Sequence, residues 1–444
     1  MKENKPIHGF SKLSKDEKTA WLMAQLGLDA ATVDFLAGFE AKNENIQAII
    51  AELSENQLSN FHFPFSIAPN FLVNGQYRVF PFVSEESSVV AALAKAAVFW
   101  AKRGGFKAEV LGTEKKGQLH FSWTGDPEKL QEIFPEIEKA LRAEAASITQ
   151  KMEQRGGGIT SIQLNYLPEI LPDYYQLDAA FETSDAMGAN FINSCLEQFG
   201  KSLKNWFASK TDWPQAEQDA EIIMAILSNF VPDSRVRVWV ECPVEELSED
   251  GDREVARVFA EKFVQAVHIS RKDVSRAVTH NKGIFNGIDA LALATGNDFR
   301  AIEAGGHAFA ARKGKYTGLS EATIENGQFR FSMELSLAVG VVGGVTALHP
   351  MARLALQILE KPSAAELMKY LAVAGLASNW SAVRALVTTG IQKGHMKMHL
   401  NNMLNSLQAS DEQKAGARLY FEKRELSFSE VELFLKNDAG SEED

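Results

Sequence analysis

Two cysteines in 444 residues, Cys195 and Cys242, are too few for a disulfide framework or a cysteine-built metal site, and such usage suits a reducing cytoplasm. A basic excess is also missing: 46 Lys and Arg stand against 58 Asp and Glu, a net charge of −12. An acidic chain is not drawn to nucleic acid or anionic membrane over a broad face, which leaves room only for local basic pockets. The longest apolar run, residues 335–348, is interrupted by glycines and falls short of the ~20 residues of a membrane span. The opening residues 1–6 carry charge with no apolar stretch behind them, unlike a secretory signal. No G-x-G-x-x-G follows a strand pattern, so a Rossmann site is not indicated. Internal repeats and low-complexity segments are absent too. The expectation is a cytoplasmic protein with neither a membrane segment nor a nucleic-acid partner.

What is present is an ordinary globular composition, 45% hydrophobic and 23% charged, over a length that implies two or three domains. Helical periodicity runs in short pieces through residues 12–53. Extended segments at 61–71 and 77–83 flank Asn74-Gly75, a hairpin turn signal. Ser84 is read as the N-cap of a helix with Glu85 and Glu86 in its first turn and Val89, Val90, Leu93, Ala97 and Trp100 on its apolar face. Residues 106–180 alternate strand and helix patterns like a small α+β unit. A further helix begins near Thr183 or Ser184, with Gly188 in its first turn and Asn190 and Asn193 on one face, a natural place for a pyrophosphate. Residues 217–230 read as helix, 235–241 as strand and 252–267 as helix.

The centre of the chain is residues 278–289 followed by Thr295-Gly296-Asn297-Asp298. Its Gly and Asn residues read as two turns around one buried segment, bringing Lys282 and Asp298 within reach of each other. A lysine held near a carboxylate can transfer a proton or stabilise an oxyanion; the plainer reading is a surface lysine and a helix-capping aspartate. The glycines of residues 340–344 suggest close backbone approach to a ligand or a neighbouring chain, or a buried packing turn. Four helical segments follow, at 363–377, 379–389, 394–407 and 411–435. His395 and His399 share a helix side, but without H-E-x-x-H they do not make a convincing zinc site. No metal is expected.

Five separated motifs stand in order along the chain: Glu85-Glu86-Ser87-Ser88-Val89-Val90, Asp185-Ala186-Met187-Gly188-Ala189-Asn190, Thr279-His280-Asn281-Lys282-Gly283 with Thr295-Gly296-Asn297-Asp298, Gly340 to Thr346 with His349-Pro350, and Gly394-His395-Met396. As a set they resemble the class II 3-hydroxy-3-methylglutaryl-coenzyme A reductases. The resemblance implies catalytic Glu86, Lys282, Asp298 and His395. It implies that Ser88, Arg276 and Asn286 bind substrate, and that Asp185, Ala186, Met187, Gly188, Ala189, Asn190 and Asn193 bind NADH or NADPH. Two departures are Ser87, where the family usually has proline, and Glu55-Asn56-Gln57-Leu58-Ser59, where it has Glu-Asn-x-Ile-Gly.

The implied fold is α+β. A large mixed helical and sheet domain (1–108 and 220–388) is interrupted by a small non-Rossmann, ferredoxin-like dinucleotide domain (109–219), and a helical C-terminal flap spans 389–444. The implied reaction takes HMG-CoA to mevalonate and CoA, in a homodimer with interfacial sites, with a trimer of dimers as a larger assembly. The alternative is a catalytically silent homologue that binds CoA esters or nucleotides.

Overall fold

The computed structural model describes residues 7–388, 400–421, 424 and 426–439. Three short helices lead in: α1 (Lys15–Leu26), α2 (Ala30–Gly38) and α3 (Glu44–Ala51). They bury little against their own chain, since α2 and α3 have no buried residue and Phe35 is 65% exposed. The hairpin β1 (Phe65–Val73) and β2 (Gln76–Val83) turns at Asn74 and Gly75, both at positive φ. Such a turn matches the twist of the paired strands. Helix α4 (Val89–Ala101) follows, burying Val89, Leu93, Ala97 and Trp100, and Gly104 and Gly105 at positive φ end it.

Next come β3 (Lys107–Val110), β4 (Lys115–Ser122), α5 (Pro127–Glu153), β5 (Gly158–Tyr166), β6 (Tyr174–Glu182), α6 (Ala189–Ala208) and β7 (Glu221–Leu227). Strands β4 to β7 form one antiparallel sheet in the order β5-β6-β4-β7, and α5 packs beside α6. Read from β4, this is βαββαβ with its first and third strands central, the ferredoxin-like topology. The unit has its own core, including Leu119, Phe121, Leu141, Leu177, Leu196 and Phe199. Residues 221–227 are thus a strand, not the helix that 217–230 suggests. The run Ile222-Ile223-Met224-Ala225-Ile226-Leu227 has no helical face to bury, and pairing with β4 decides it.

The rest of the chain builds the larger layer. It comprises β8 (Arg235–Pro243), α7 (Arg253–Ser270), α8 (Val274–Ala294), α9 (Phe299–Ala311), β9 (Ser320–Glu325), β10 (Gln328–Ser336), α10 (Gly344–Leu348), α11 (Pro350–Ile358) and α12 (Ala364–Val387). A second antiparallel sheet, β3-β8-β10-β9, packs against α7 and α12, and α12 also covers α4 and α8. Trp100, Phe263, Phe329 and Trp380 meet at the centre of this core.

Helix α12 is continuous where two helices, 363–377 and 379–389, are expected. Asn379, buried in its middle, accepts from Ser320 Oγ at 2.9 Å and donates to the His280 carbonyl at 3.2 Å, so it does not interrupt the helix. Among the described C-terminal residues, helices Asp411–Tyr420 and Phe428–Ala439 share a small core of Leu404, Ala417, Phe421 and Val431. Among the described residues no helix is long and apolar enough to cross a membrane.

Candidate active site

The central stretch is one helix, not two turns. α8 runs unbroken through Gly283, Asn286 and Gly287 because its polar residues are satisfied from outside. Buried His280 contacts Ser320 Oγ at 2.5 Å. Asn281 donates to Tyr316 Oη and the Thr317 carbonyl and accepts from Leu319 N at 2.9 Å. Burial, with help from Arg276, pushes His280 down to about 4, so it stays neutral near neutral pH. These anchors set the rotation of α8. Lys282, next in sequence, points outward from the packed face.

Glu86 reaches it from a segment far away in sequence that packs in the same core. It lies in the turn between β2 and α4, where its backbone N–H donates to Ser84 Oγ at 3.1 Å. Ser84 therefore closes that turn and does not cap the helix; Ser88 stands at the N-cap, at φ 84, without a side-chain cap bond. A non-glycine residue at such a φ is strained, and strain of this kind concentrates at functional sites. Lys282 Nζ donates to Glu86 Oε2 at 2.7 Å, across 196 positions of sequence. Both side chains are open to solvent, at 60% and 42% exposure.

Asp298 stands elsewhere in this chain. It caps α9, accepting from Arg300 N at 3.1 Å and Ala301 N at 3.2 Å, and it pairs with the Arg300 side chain. Between Lys282 and the end of α8 at Ala294 the helix rises about 18 Å. Lys282 and Asp298 of one chain do not meet. Arg276 is on the first turn of α8, and Asn286, one turn beyond Lys282, shares its side of the helix. His395 and His399 lie outside the described residues.

One acid that sequence reasoning passed over completes this face. Asp289, seven residues after Lys282, is pushed up to about 8 by burial, then by the charge of Glu303 and a shared hydrogen bond with it, then by Glu85; its Oδ1 is buried without a partner. The i, i+4, i+7 spacing of Lys282, Asn286 and Asp289 was visible in the sequence, but it means one face only once the segment is helical. Because the folded value lies above the ordinary carboxylate range, the charged form is disfavoured in the fold. Stability is therefore lost as pH rises from about 4 towards 8. Asp289→Asn is expected to match the wild type in Tm at about pH 4 and exceed it by a few degrees at pH 8.5; equal Tm at both would mean that Asp289 ionises freely.

The Asp185–Asn190 motif is a loop between β6 and α6, and it is stitched into the larger layer. Asp185 Oδ1 accepts from Ala364 N at 2.8 Å, at the start of α12, and the Asp185 carbonyl accepts from Val341 N at 2.9 Å. Gly340 donates to Asn297 Oδ1, and a Cβ on Gly340 would stand 2.3 Å from Met187 N. The glycine stretch thus makes close backbone approach to this chain's own Asp185–Met187 loop. Thr346 Oγ donates to the Thr295 carbonyl at 3.2 Å.

Helix α6 starts later than expected. Gly188, at φ 97, is its N-cap, and Ala186, Met187 and Ser184 lie before it. No side chain caps this terminus, so its first N–H groups, at Ala189 and exposed Asn190, are available to an anion. Asn193 Oδ1 already accepts from Leu227 N at 2.9 Å.

A cavity of about 620 Å³ lies apart from these residues, lined by Arg237, His268, Arg271, Lys272, Arg312 and Lys313 among others. Arg271 and Arg312 stand at the C-caps of α7 and α9, where cations complement helix carbonyls, and none of Glu86, Lys282 and Asp298 lines it.

The family model for hydroxymethylglutaryl-coenzyme A reductase matches residues 16–400. The chain is 32% identical over 400 residues to the 3-hydroxy-3-methylglutaryl-coenzyme A reductase of Archaeoglobus fulgidus, covering 89% of this chain and 86% of that protein. It is similar to the class II enzyme of Streptococcus pneumoniae solved with NADPH in open conformations, at 35% identity and a TM-score of 0.71 over 86% of this chain and all of that one. Another structure of the Streptococcus pneumoniae reductase aligns at 34% identity and a TM-score of 0.70 over 98% of this chain and all of that one. By the family model, by identity along most of its length and by fold, the chain belongs to the hydroxymethylglutaryl-coenzyme A reductase family.

Proposed function

We propose that this chain, an NAD(P)H-dependent oxidoreductase of that family, reduces the hydroxymethylglutaryl thioester of coenzyme A to mevalonate and free coenzyme A, with Lys282 and Glu86 at the reacting carbonyl. The observation that carries the assignment is the Lys282–Glu86 contact at 2.7 Å, which joins two motifs far apart in sequence. It also weighs against a silent, binding-only homologue. Lys282 donates to the carbonyl oxygen as negative charge develops there, and Glu86 holds the ammonium and exchanges its proton. Ser88 and Arg276 hold the acyl carboxylate end, and Asn286 also contacts the substrate. His395, outside the described residues, supplies the proton for the departing thiolate, a general-acid role that imidazoles commonly fill.

The dinucleotide belongs at the uncapped N-terminus of α6, within the ferredoxin-like unit, where Gly188 leaves room and Asp185 to Asn190 and Asn193 line the approach. Bound there, NADH or NADPH supplies a hydride in each of two rounds. We assign the 109–219 segment to cofactor binding, residues 1–108 and 220–388 to substrate binding and dimerisation, and 389–444 to a flap.

Two features support a homodimer with shared sites, and a trimer of dimers remains compatible with them. An exposed Lys282–Glu86 pair has to be covered before its charges act strongly, and Asp298 reaches a Lys282 only from a second copy. The lead-in helices offer uncovered apolar side chains, Leu26 at 60% and Phe35 at 65% exposure, for that contact. Buried thiols at Cys195 and Cys242, both unpaired, accord with a cytoplasmic location.

Purified protein with the thioester is expected to oxidise two nicotinamides per thioester and release free thiol. Inactive Lys282→Ala and Asp298→Ala chains, unfolded and reassembled together, are expected to recover about a quarter of wild-type activity, because half the dimers are mixed and each has one intact site. No recovery would place both residues' work within one chain.

A further inference from the structure

One buried cation has no part in the chemistry above. Lys115, the first residue of β4, is 4% exposed. Its Nζ donates to Thr183 Oγ at 2.6 Å and lies 3.4 Å from the Ala186 carbonyl oxygen. Thr183, itself fully buried, donates its hydroxyl to the same Ala186 carbonyl at 2.7 Å, and Ala186 N returns a bond to the Thr183 carbonyl at 3.0 Å. Glu182 closes the network from the other side: its Oε1 accepts from Thr183 N at 2.9 Å and Ser184 N at 3.0 Å, and its Oε2 accepts from Thr113 Oγ. Every one of these bonds ends on the segment that turns β6 into α6 through Gly188. A Cβ at Gly188 would stand 2.5 Å from Thr183 Cγ2, so the threonine that Lys115 holds also packs against the helix N-cap.

From these contacts we propose that Lys115 is a positioning residue for dinucleotide binding: it holds Thr183 and Ala186 so that the N-terminus of α6 is presented, and it places a positive charge beneath the anion's seat. The inference rests on the reading of the Asp185–Asn190 loop as the dinucleotide site.

The surroundings of Lys115 define its titration. β6 contributes Glu182. Lys116 points to the opposite face of the sheet, pairing with Asp178 at 3.1 Å and Asp233 at 4.0 Å. α6 brings the apolar Ile192 and Leu196 to the Lys115 face, where both stand within 3 Å of a Cβ on Gly117, and the Asp185 carboxylate is engaged by Ala364 N. Burial lowers Lys115 to about 8, with Glu182 opposing. The charged form is thus disfavoured by folding, and the cost in stability grows as pH falls from about 10.5 to about 8 and is fully present below that. A residue kept charged near neutrality against its own folding cost is repaid when an anion binds above it.

The test is the Kd of NADH and of NADPH between pH 7 and 9.5 for wild type, Lys115→Met and Asn190→Asp, with Tm measured alongside. Lys115→Met is expected to weaken both dinucleotides about tenfold at pH 7, the scale of a charge-assisted hydrogen bond, with kcat at saturation within about twofold. Its Tm at pH 7 is expected not to fall, because the methionine removes a buried charge. The wild-type Kd is expected to rise above pH 8 while that of Lys115→Met stays flat. Asn190→Asp, which puts a negative charge at the exposed helix start, reports on the loop itself. Weakened binding in Asn190→Asp with unchanged binding in Lys115→Met overturns the role of Lys115 and leaves the loop assignment standing. Unchanged binding in both overturns the loop assignment as well. Should Lys115→Met not fold, the wild-type profile decides: a Kd flat from pH 7 to 9.5 overturns the proposal.

Discussion

Lys282→Ala is expected to lower kcat by about a thousandfold or more while moving Tm by no more than about 1 °C. Removing one preorganised donor from an oxyanion costs about a hundred- to a thousandfold, and a full cation contributes at least as much. The folded chain, by contrast, gains little from the pair. With Lys282 60% and Glu86 42% exposed, their attraction is screened by water and is worth about 1 kcal/mol at most. Steady-state kinetics with both nicotinamides, paired with thermal melts, separates the two effects. Turnover near wild type would remove Lys282 from the chemistry, and a large fall in Tm would make its role structural.

The second large effect lies one turn further along the same helix. Gly287→Ala is expected to destabilise the protein by about 3 kcal/mol or more, although alanine is the better helix former by about 1 kcal/mol. The reason is the crossing of α8 and α12. A Cβ at Gly287 would stand 2.3 Å from the Ala374 carbonyl oxygen and 2.8 Å from its carbon, and both are backbone atoms that no rotamer change can move. The helices would have to separate, carrying Lys282 with them. At roughly 2–4 °C per kcal/mol for a domain of this size, Tm falls by about 6–12 °C. An unchanged or higher Tm would show that α8 and α12 move apart cheaply.

The same glycine explains why the centre of the chain looks like two turns in sequence yet folds as one helix. Gly283 and Gly287, among Asn and His, look like turn punctuation, because glycine ordinarily weakens a helix. Here both face α12. Ser378 Oγ donates to the Gly283 carbonyl at 2.7 Å, and Gly287 admits the α12 backbone. Nothing local distinguishes a glycine that breaks a helix from one that lets two helices touch. Ser84 was misplaced for a related reason: a hydroxyl before an apolar run suits a helix cap and a tight turn equally, and only the route of the chain into Ser88 chose the turn. By contrast, the Asn74-Gly75 hairpin and the apolar face of α4 were legible, because each is decided by neighbouring residues alone.

The family was therefore written in the chain, since motifs such as Glu85 to Val90 and Thr279 to Gly283 need no geometry to be recognised. The hairpin, the amphipathic helices and two of the small unit's four strands were there too, as periodicities of two and 3.6. Tertiary structure alone decided the rest. It set Lys282 against Glu86 across 196 positions, left Asp298 capping α9 and paired with Arg300, and buried Asp289 beside Glu303 and Lys115 beneath Thr183. The physical reason is the same in each case: a side chain's partners, and the water it loses, depend on which distant segment packs over it.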